Sequence, residues 1–323
     1  MNPSRLLIRA DANPEIGFGH VMRCLALSQH WRDHLGPVTF VCNDNLPRSI
    51  ASRLADEAMA VERLTCAAGS LDDAKQLLSI AELTGSDAIV IDGYQFGSAY
   101  QQAIFGNGPT TLVIDDYAHL CQYHADAILN QNPGAGPPLY ENRIGETGLL
   151  MGSRYALIRR EFLECPDDRC ETRQTTAPET RLLVTLGGFD PGPVTQTVID
   201  AIEMLSRDDP LLVRLISPLD GLVIRDSRID LVAFASNMAE LYQWADVAVC
   251  AGGSTNWEMS LFGIPRVLVV LAENQRAIAE TLQEAGCCLN TGSYQQLTAN
   301  GLSEVINNLM ADTGQRKSMQ RAN

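Results

Sequence analysis

The sequence predicts an α/β protein built from two doubly wound, Rossmann-like domains facing a cleft. Three observations predict it. Short Val/Ile/Leu-rich runs alternate with helix-length stretches, the alternation breaks once and restarts, and 323 residues suit two domains of roughly 150 each. Continuous apolar strands indicate parallel sheets covered on both faces.

In order, residues 6–8 read as a buried strand, followed by a loop and a helix over 19–35. Further strands are expected at 38–42, 88–91 and 111–114, with helices over 46–58 and 72–84. Residues 130–138 are rich in Asn, Gly and Pro, and 165–180 is polar without periodicity, so the latter reads as a linker. The pattern restarts with a strand at 181–186, a helix over 194–205, and strands at 211–216, 231–234, 247–250 and 266–270. The expected organisation is therefore an N-terminal domain 1–164, a linker 165–180 and a C-terminal domain 181–323.

Composition narrows the function. The apolar share of 46% supports a large core, and the net charge of −15 argues against a nucleic-acid or anionic-membrane binder. It leaves phosphate ligands open, because helix N-termini and loop N–H groups hold phosphate without net positive charge. Nine scattered cysteines without zinc spacing read as reduced thiols. No signal-peptide pattern opens the chain, and no apolar run approaches the ~20 residues that span a bilayer. A cytoplasmic protein without a metal or other cofactor is expected. Its oligomeric state is open, with a monomer compatible.

Four strand-to-helix turns are candidates for chemistry. In the first, Gly17 and Gly19 let the backbone pass close to a ligand, and His20 falls in the first helical turn. The positive helix end there disfavours imidazolium and leaves His20 as a base, against the simpler reading of a surface histidine. The second, Gly187-Gly188-Phe189-Asp190-Pro191-Gly192-Pro193, is either a stiffened ligand loop or an Asx-turn at Asp190. The third, Gly252-Gly253-Ser254-Thr255, offers N–H donors and hydroxyls for a diphosphate. Glu258 beyond it either completes a capping box with Thr255 or accepts two ribose hydroxyls. The fourth places Asn274 and Gln275 at a strand end, either near the ligand or as a solvated helix start. Tyr94 follows a strand and reaches the cleft edge. Asp115 and Asp116 end another strand, where turn capping is the expected role.

The blocks IRADANPEIGFGHVMRCLAL, VIDDYAHL…HADAILNQN, RYALIRREF, LLVTLGGFDP and AGGSTNWEMSLFGIP…VLAENQ run through both halves in order. Together they resemble the UDP-2,4-diacetamido-2,4,6-trideoxy-β-L-altropyranose hydrolases of pseudaminic acid biosynthesis, which supplies flagellin glycosylation. The resemblance implies a GT-B-like fold, related to the transferase that makes the peptidoglycan precursor. It implies His20 as the key catalytic residue and Tyr94 as a catalytic-site residue near the sugar. It implies Gly252, Gly253 and Ser254 at the diphosphate, Glu258 at the ribose, and Asn274 and Gln275 near sugar or phosphates. The implied reaction releases UDP and free hexose with inversion, by anomeric C–O cleavage and without a metal. The rival readings are a GT-B glycosyltransferase using a UDP-amino sugar and a silent nucleotide-sugar binder. Family members usually continue past the helix beginning near Leu302, often into a helix that crosses back to the first domain. The last residues here, Gln320-Arg321-Ala322-Asn323, leave that crossover open.

Overall fold

A computed structural model describes residues 3–13, 15–165, 179–187, 190, 194–233, 235 and 237–323. The chain divides into two compact units between Arg160 and Glu161. Most of the 165–180 segment lies outside the described residues.

The first unit holds a seven-stranded parallel sheet. Its strands are β1 (Leu6–Ala10), β2 (Val38–Asn43), β3 (Ala60–Leu64), β4 (Ala88–Asp92), β5 (Thr110–Ile114), β6 (Ala127–Asn130) and β7 (Gly148–Met151). They lie in the order β3-β2-β1-β4-β5-β6-β7, so the order reverses between β1 and β4, where doubly wound sheets bind ligands. Helices α1 (Gly19–His34), α2 (Arg48–Asp56), α3 (Leu71–Thr84) and α4 (Ser98–Ile104) connect the strands. One face packs Ile8, Phe40 and Val90 against Val21, Leu25, Ile50 and Leu54 of α1 and α2. The other packs Leu7, Val41, Ile89 and Ile91 against Leu77, Tyr100 and Ile104 of α3 and α4. Burying one such side chain contributes about 1.5–3 kcal/mol, which is why each strand alternates faces without becoming polar on either.

Beyond a single helical turn, α5 (Arg160–Leu163), the second unit repeats the architecture. Its strands β8 (Thr180–Thr185), β9 (Leu211–Ile216), β10 (Ile229–Val232), β11 (Val247–Ala251), β12 (Arg266–Val270) and β13 (Leu289–Ser293) form a parallel sheet in the order β10-β9-β8-β11-β12-β13. Helices α6 (Val194–Glu203), α7 (Met238–Trp244), α8 (Thr255–Leu261), α9 (Arg276–Glu284), α10 (Ala299–Ala311) and α11 (Thr313–Ala322) surround it. Met319 of α11 joins Ile306 and Leu309 of α10 in the core of this same unit. Among the described residues no helix is long and apolar enough to cross a membrane.

The two doubly wound, Rossmann-like domains are those expected, but β3, β6, β7 and β13 were not legible as apolar runs. Three of the four are edge strands. In β3, for instance, Ala60, Glu62 and Arg63 are exposed, so no continuous apolar signal exists. The Asn/Gly/Pro-rich stretch at 130–138 is not a domain break, because β7 follows it in the first sheet.

Arg9, in the middle of β1, is fully buried. Its guanidinium bonds Asp11 at 2.6 Å and Asp73 at 2.8 Å, and lies over the Phe96 ring at 4.8 Å. Asp73 also accepts from Tyr100 Oη and from the backbone N–H of Gly69. Burial alone would make such a cation costly. Two carboxylates and a full set of hydrogen bonds compensate it and tie the first turn of α3 to the sheet.

Candidate active site

The loop after β1 is closed locally. Asn13 Oδ1 accepts from the N–H groups of Glu15 and Ile16 at 2.9 and 3.0 Å, and its carbonyl accepts from Gly17 N–H at 2.9 Å. Gly17 sits at φ +77°, in the left-handed region that a side chain would disfavour. The chain then enters α1 through Phe18, so Gly19 and His20 are its first two residues.

His20 is 8% exposed, and its Nδ1 lies 2.7 Å from Asp92 Oδ1. An ionised carboxylate only accepts, so Nδ1 carries the proton, and in the neutral ring it is Nε2 that presents the lone pair. Among the described residues nothing bonds that Nε2. Asp92 ends β4 opposite Ala10 of β1, and the pairing register sets it behind the helix start. Arg23, one turn after His20, clamps Asp92 with Nε to Oδ2 and Nη2 to Oδ1, both at 2.7 Å. Burial pushes the Asp92 pKa up, but Arg23 and then His20 outweigh it and hold Asp92 well below the ordinary carboxylate range. Asp92 is thus a fixed anion.

Tyr94 follows on the same strand end. Its ring meets that of His20 edge-on at 4.8 Å, and its hydroxyl donates to Asp116 Oδ2 at 2.6 Å. Burial and then the Asp116 charge raise the phenol well above its usual range, so it stays protonated and donating. Asp116 Oδ1 receives Arg23 Nη1 at 2.7 Å. Burial works against the charge on Asp116, but Arg23 wins and lowers its pKa.

The adjacent aspartates therefore part company. Asp115 does cap its turn, accepting from Ala118 N–H at 2.7 Å, and it also binds Tyr123, Tyr140 and His119. Asp116 departs from that expectation. It is turned inward by Arg23 and Tyr94, with Asn132 Nδ2 on its carbonyl at 3.0 Å. Sequence reasoning named His20 and Tyr94 but missed Asp92 and Arg23. The available signals were an acid at a strand end and an arginine three residues after His20 on one helix face.

In the second domain, β11 runs into Gly252, and α8 begins at Thr255. The Gly252 N–H donates to Gln275 Oε1 at 3.2 Å, which also accepts from Leu271 N–H at 2.9 Å. This corrects two expectations. Gln275 pins the turn instead of reaching outward with that oxygen, and Gly252 N–H is already spent. Gly252 is required for close packing, since a Cβ there would lie 2.8 Å from Gln275 Cβ. The N–H groups of Gly253, Ser254 and Thr255 have no acceptor among the described residues. Asn256 shapes the turn beneath them, its Nδ2 donating to the carbonyls of Ala251 and Gly253 at 2.8 and 3.0 Å. Arg266, fully buried, supports Asn256 Oδ1 at 2.9 Å.

The cap residue of α8 is Ser254, without a side-chain cap bond, and Thr255 is the first residue of the helix. Glu258 is 6% exposed and accepts from Tyr242 Oη at 3.2 Å. Asn274 and Gln275 form a short 3-10 turn with Glu273. Asp190 takes the structural reading, its carboxylate accepting from the N–H groups of Val194 and Thr195 at the start of α6. Gly188, Phe189 and residues 191–193 of that second turn lie outside the described residues. Of the sequence-expected residues, His20 and Tyr94 meet in the first domain, and Gly252 and Gln275 meet in the second. Among the described residues, no group of three or more His, Cys, Asp or Glu is arranged to hold a metal ion.

Comparison with known proteins adds to this geometry. Residues 219–323 match the glycosyltransferase family 28 C-terminal domain. A UDP-2,4-diacetamido-2,4,6-trideoxy-beta-L-altropyranose hydrolase from Campylobacter jejuni is 28% identical over 189 residues, 58% of this chain and 61% of that protein. A UDP-N-acetylglucosamine–N-acetylmuramyl-(pentapeptide) pyrophosphoryl-undecaprenol N-acetylglucosamine transferase from Geobacter metallireducens is 36% identical over 98 residues, 29% of this chain and 27% of that one. The match therefore spans less than two thirds of either curated relative. Among solved structures, MurG of Acinetobacter baumannii matches with a TM-score of 0.68 at 16% identity, over 98% of this chain and 94% of that one. The chain has the two-domain α/β fold of the GT-B glycosyltransferases.

Proposed function

We propose that this protein hydrolyses the anomeric C–O bond of a UDP-linked deoxy-diacetamido sugar, UDP-2,4-diacetamido-2,4,6-trideoxy-β-L-altropyranose, releasing UDP and the free sugar with inversion. The observation that carries the reading is the His20–Asp92 pair, with Nδ1 bound at 2.7 Å and Nε2 left as a lone-pair donor. In the proposed step Nε2 takes a proton from water, whose oxygen attacks the anomeric carbon. The C–O bond to the β-phosphate breaks, UDP leaves with the electron pair, and imidazolium returns its proton to solvent. In the second domain, the three N–H groups of Gly253, Ser254 and Thr255 are assigned to binding the diphosphate of the nucleotide. Glu258 accepts the ribose hydroxyls, and Asn274 lies near sugar or phosphates. The family 28 match at 219–323, which contains this turn, supports the second part, and the Campylobacter relative's name supports the substrate.

A glycosyltransferase is the second reading, favoured by the higher identity of the Geobacter transferase segment. Incubation with the UDP-sugar in the absence of any acceptor separates the two. A hydrolase releases stoichiometric free sugar and UDP over many turnovers. UDP release that appears only after an acceptor is added would overturn the hydrolase reading.

A further inference from the structure

We propose that Arg23 is the positioning residue of the site: its one guanidinium holds Asp92 behind His20 and Asp116 behind Tyr94, and so fixes both the tautomer of the base and the aim of the phenol. The proposal deepens the hydrolase reading and rests on it for its kinetic arm.

The geometry is a closed chain. Arg23 spends Nε and Nη2 on the two oxygens of Asp92, and Nη1 on Asp116 Oδ1, each at 2.7 Å. Asp92 Oδ1 then meets His20 Nδ1 at 2.7 Å, and Asp116 Oδ2 meets Tyr94 Oη at 2.6 Å. The side chains of Arg23, Asp92 and Asp116 are 6%, 0% and 7% exposed. Arg23 Nη2 also lies 3.3 Å from His20 Nδ1. Both nitrogens carry hydrogen in the base-competent tautomer, so this contact is a cation set against any positive charge on the ring.

Among the described residues, these charged or titratable groups lie around His20. From α1 come Arg23 and Cys24, whose thiol donates to Asp92 Oδ2 at 3.4 Å. Asp92 comes from β4, Tyr94 from the turn after it, and Asp116 from the turn after β5. Tyr117 and His119 lie farther out, against the Tyr94 ring at 5.3 and 5.5 Å. Among the described residues, Arg23 is the cation that faces Asp92 and Asp116. Removing it leaves two buried anions that together hold an extra proton. That proton either makes His20 an imidazolium, or resides on Asp92 and forces the tautomer with hydrogen on Nε2. Both states remove the base, so activity is lost from the acid side. An ammonium restores charge but cannot reproduce the three-point fork.

The test compares Arg23→Gln, Arg23→Lys and Asp116→Asn in two readouts. These are the pH profile of kcat/KM for UDP-sugar hydrolysis, and a ¹⁵N-histidine NMR titration of the protein without substrate. Arg23→Gln moves the acid limb upward, and the ¹⁵N spectrum shows His20 either protonated to higher pH or carrying its hydrogen on Nε2. Asp116→Asn removes an anion of nearly identical shape and moves the acid limb and the His20 titration downward. Arg23→Lys keeps the limb near the wild-type position while kcat falls. A folded Arg23→Gln protein with an unmoved titration and the ring hydrogen still on Nδ1 overturns the proposal, as does an upward or absent shift in Asp116→Asn. If Arg23→Gln does not fold, the sign of the Asp116→Asn shift decides. Should the wild type turn over no UDP-sugar, the hydrolase reading fails by itself, and the NMR titration still tests Arg23.

Discussion

The Nδ1 of His20 and the Oδ1 of Asp92 stand 2.7 Å apart, joining the first turn of α1 to the last residue of β4. The contact selects one tautomer, and the selected tautomer is the one that can accept a proton outward. Asp92→Asn is predicted to keep the packing but lose that selection, since an amide can either donate or accept at this point. Steady-state kinetics should show kcat reduced on the order of 10³–10⁴-fold, with little change in KM. Wild-type turnover in a folded Asp92→Asn protein contradicts the tautomer argument.

Tyr94 is predicted to act through orientation. Its phenol is held neutral and donating, so it contributes no alkaline limb in the physiological range. Tyr94→Phe loses one charge-assisted hydrogen bond to Asp116, and kcat should fall about tenfold with the pH profile unshifted. A profile that loses its alkaline limb in Tyr94→Phe speaks against this assignment.

Much of this was legible in the sequence, and the limits have physical causes. His20 stood out because it directly follows a glycine pair at a strand-to-helix turn, although a surface histidine was the simpler reading of that pattern. Asp92 and Arg23 were hidden because the partner of a side chain is set by strand register and helix phase across 69 residues. Gln275 shows the same limit. Its place at a strand end fits either a ligand-facing residue or a solvated helix start, and neither pattern reveals that its Oε1 closes the neighbouring glycine turn. The edge strands β3, β7 and β13 escaped because a half-covered strand need not be apolar.

Stability should depend on the Arg9 cluster. Asp73→Ala leaves Arg9 buried beside Asp11 alone and strips the acceptor from Tyr100, at a cost of about 3–5 kcal/mol in urea denaturation. Replacing Arg9 and Asp73 together by apolar residues of similar size should cost much less than the single change. Additive losses contradict the view that the exposed cost is an uncompensated charge.

The pH dependence of folding follows from Asp92 and Asp116, whose folded-state pKa values are depressed mainly by Arg23 against an opposing burial effect. Such groups contribute stability that is fully present above the unfolded carboxylate range near pH ~4. It is lost as the pH falls below that range toward the folded values. Denaturation midpoints should therefore fall below about pH 4, and less steeply in Asp92→Asn. An equal slope in both proteins removes Asp92 from the linkage.

The central claim is tested most directly by running the UDP-sugar reaction in ¹⁸O water, with wild type and His20→Ala compared by mass spectrometry of both products. The account predicts label at the anomeric hydroxyl of the free sugar, none in UDP, and a rate about 10²–10⁴-fold lower without the imidazole. Label in the phosphate of UDP, or an unchanged rate in His20→Ala, would contradict it.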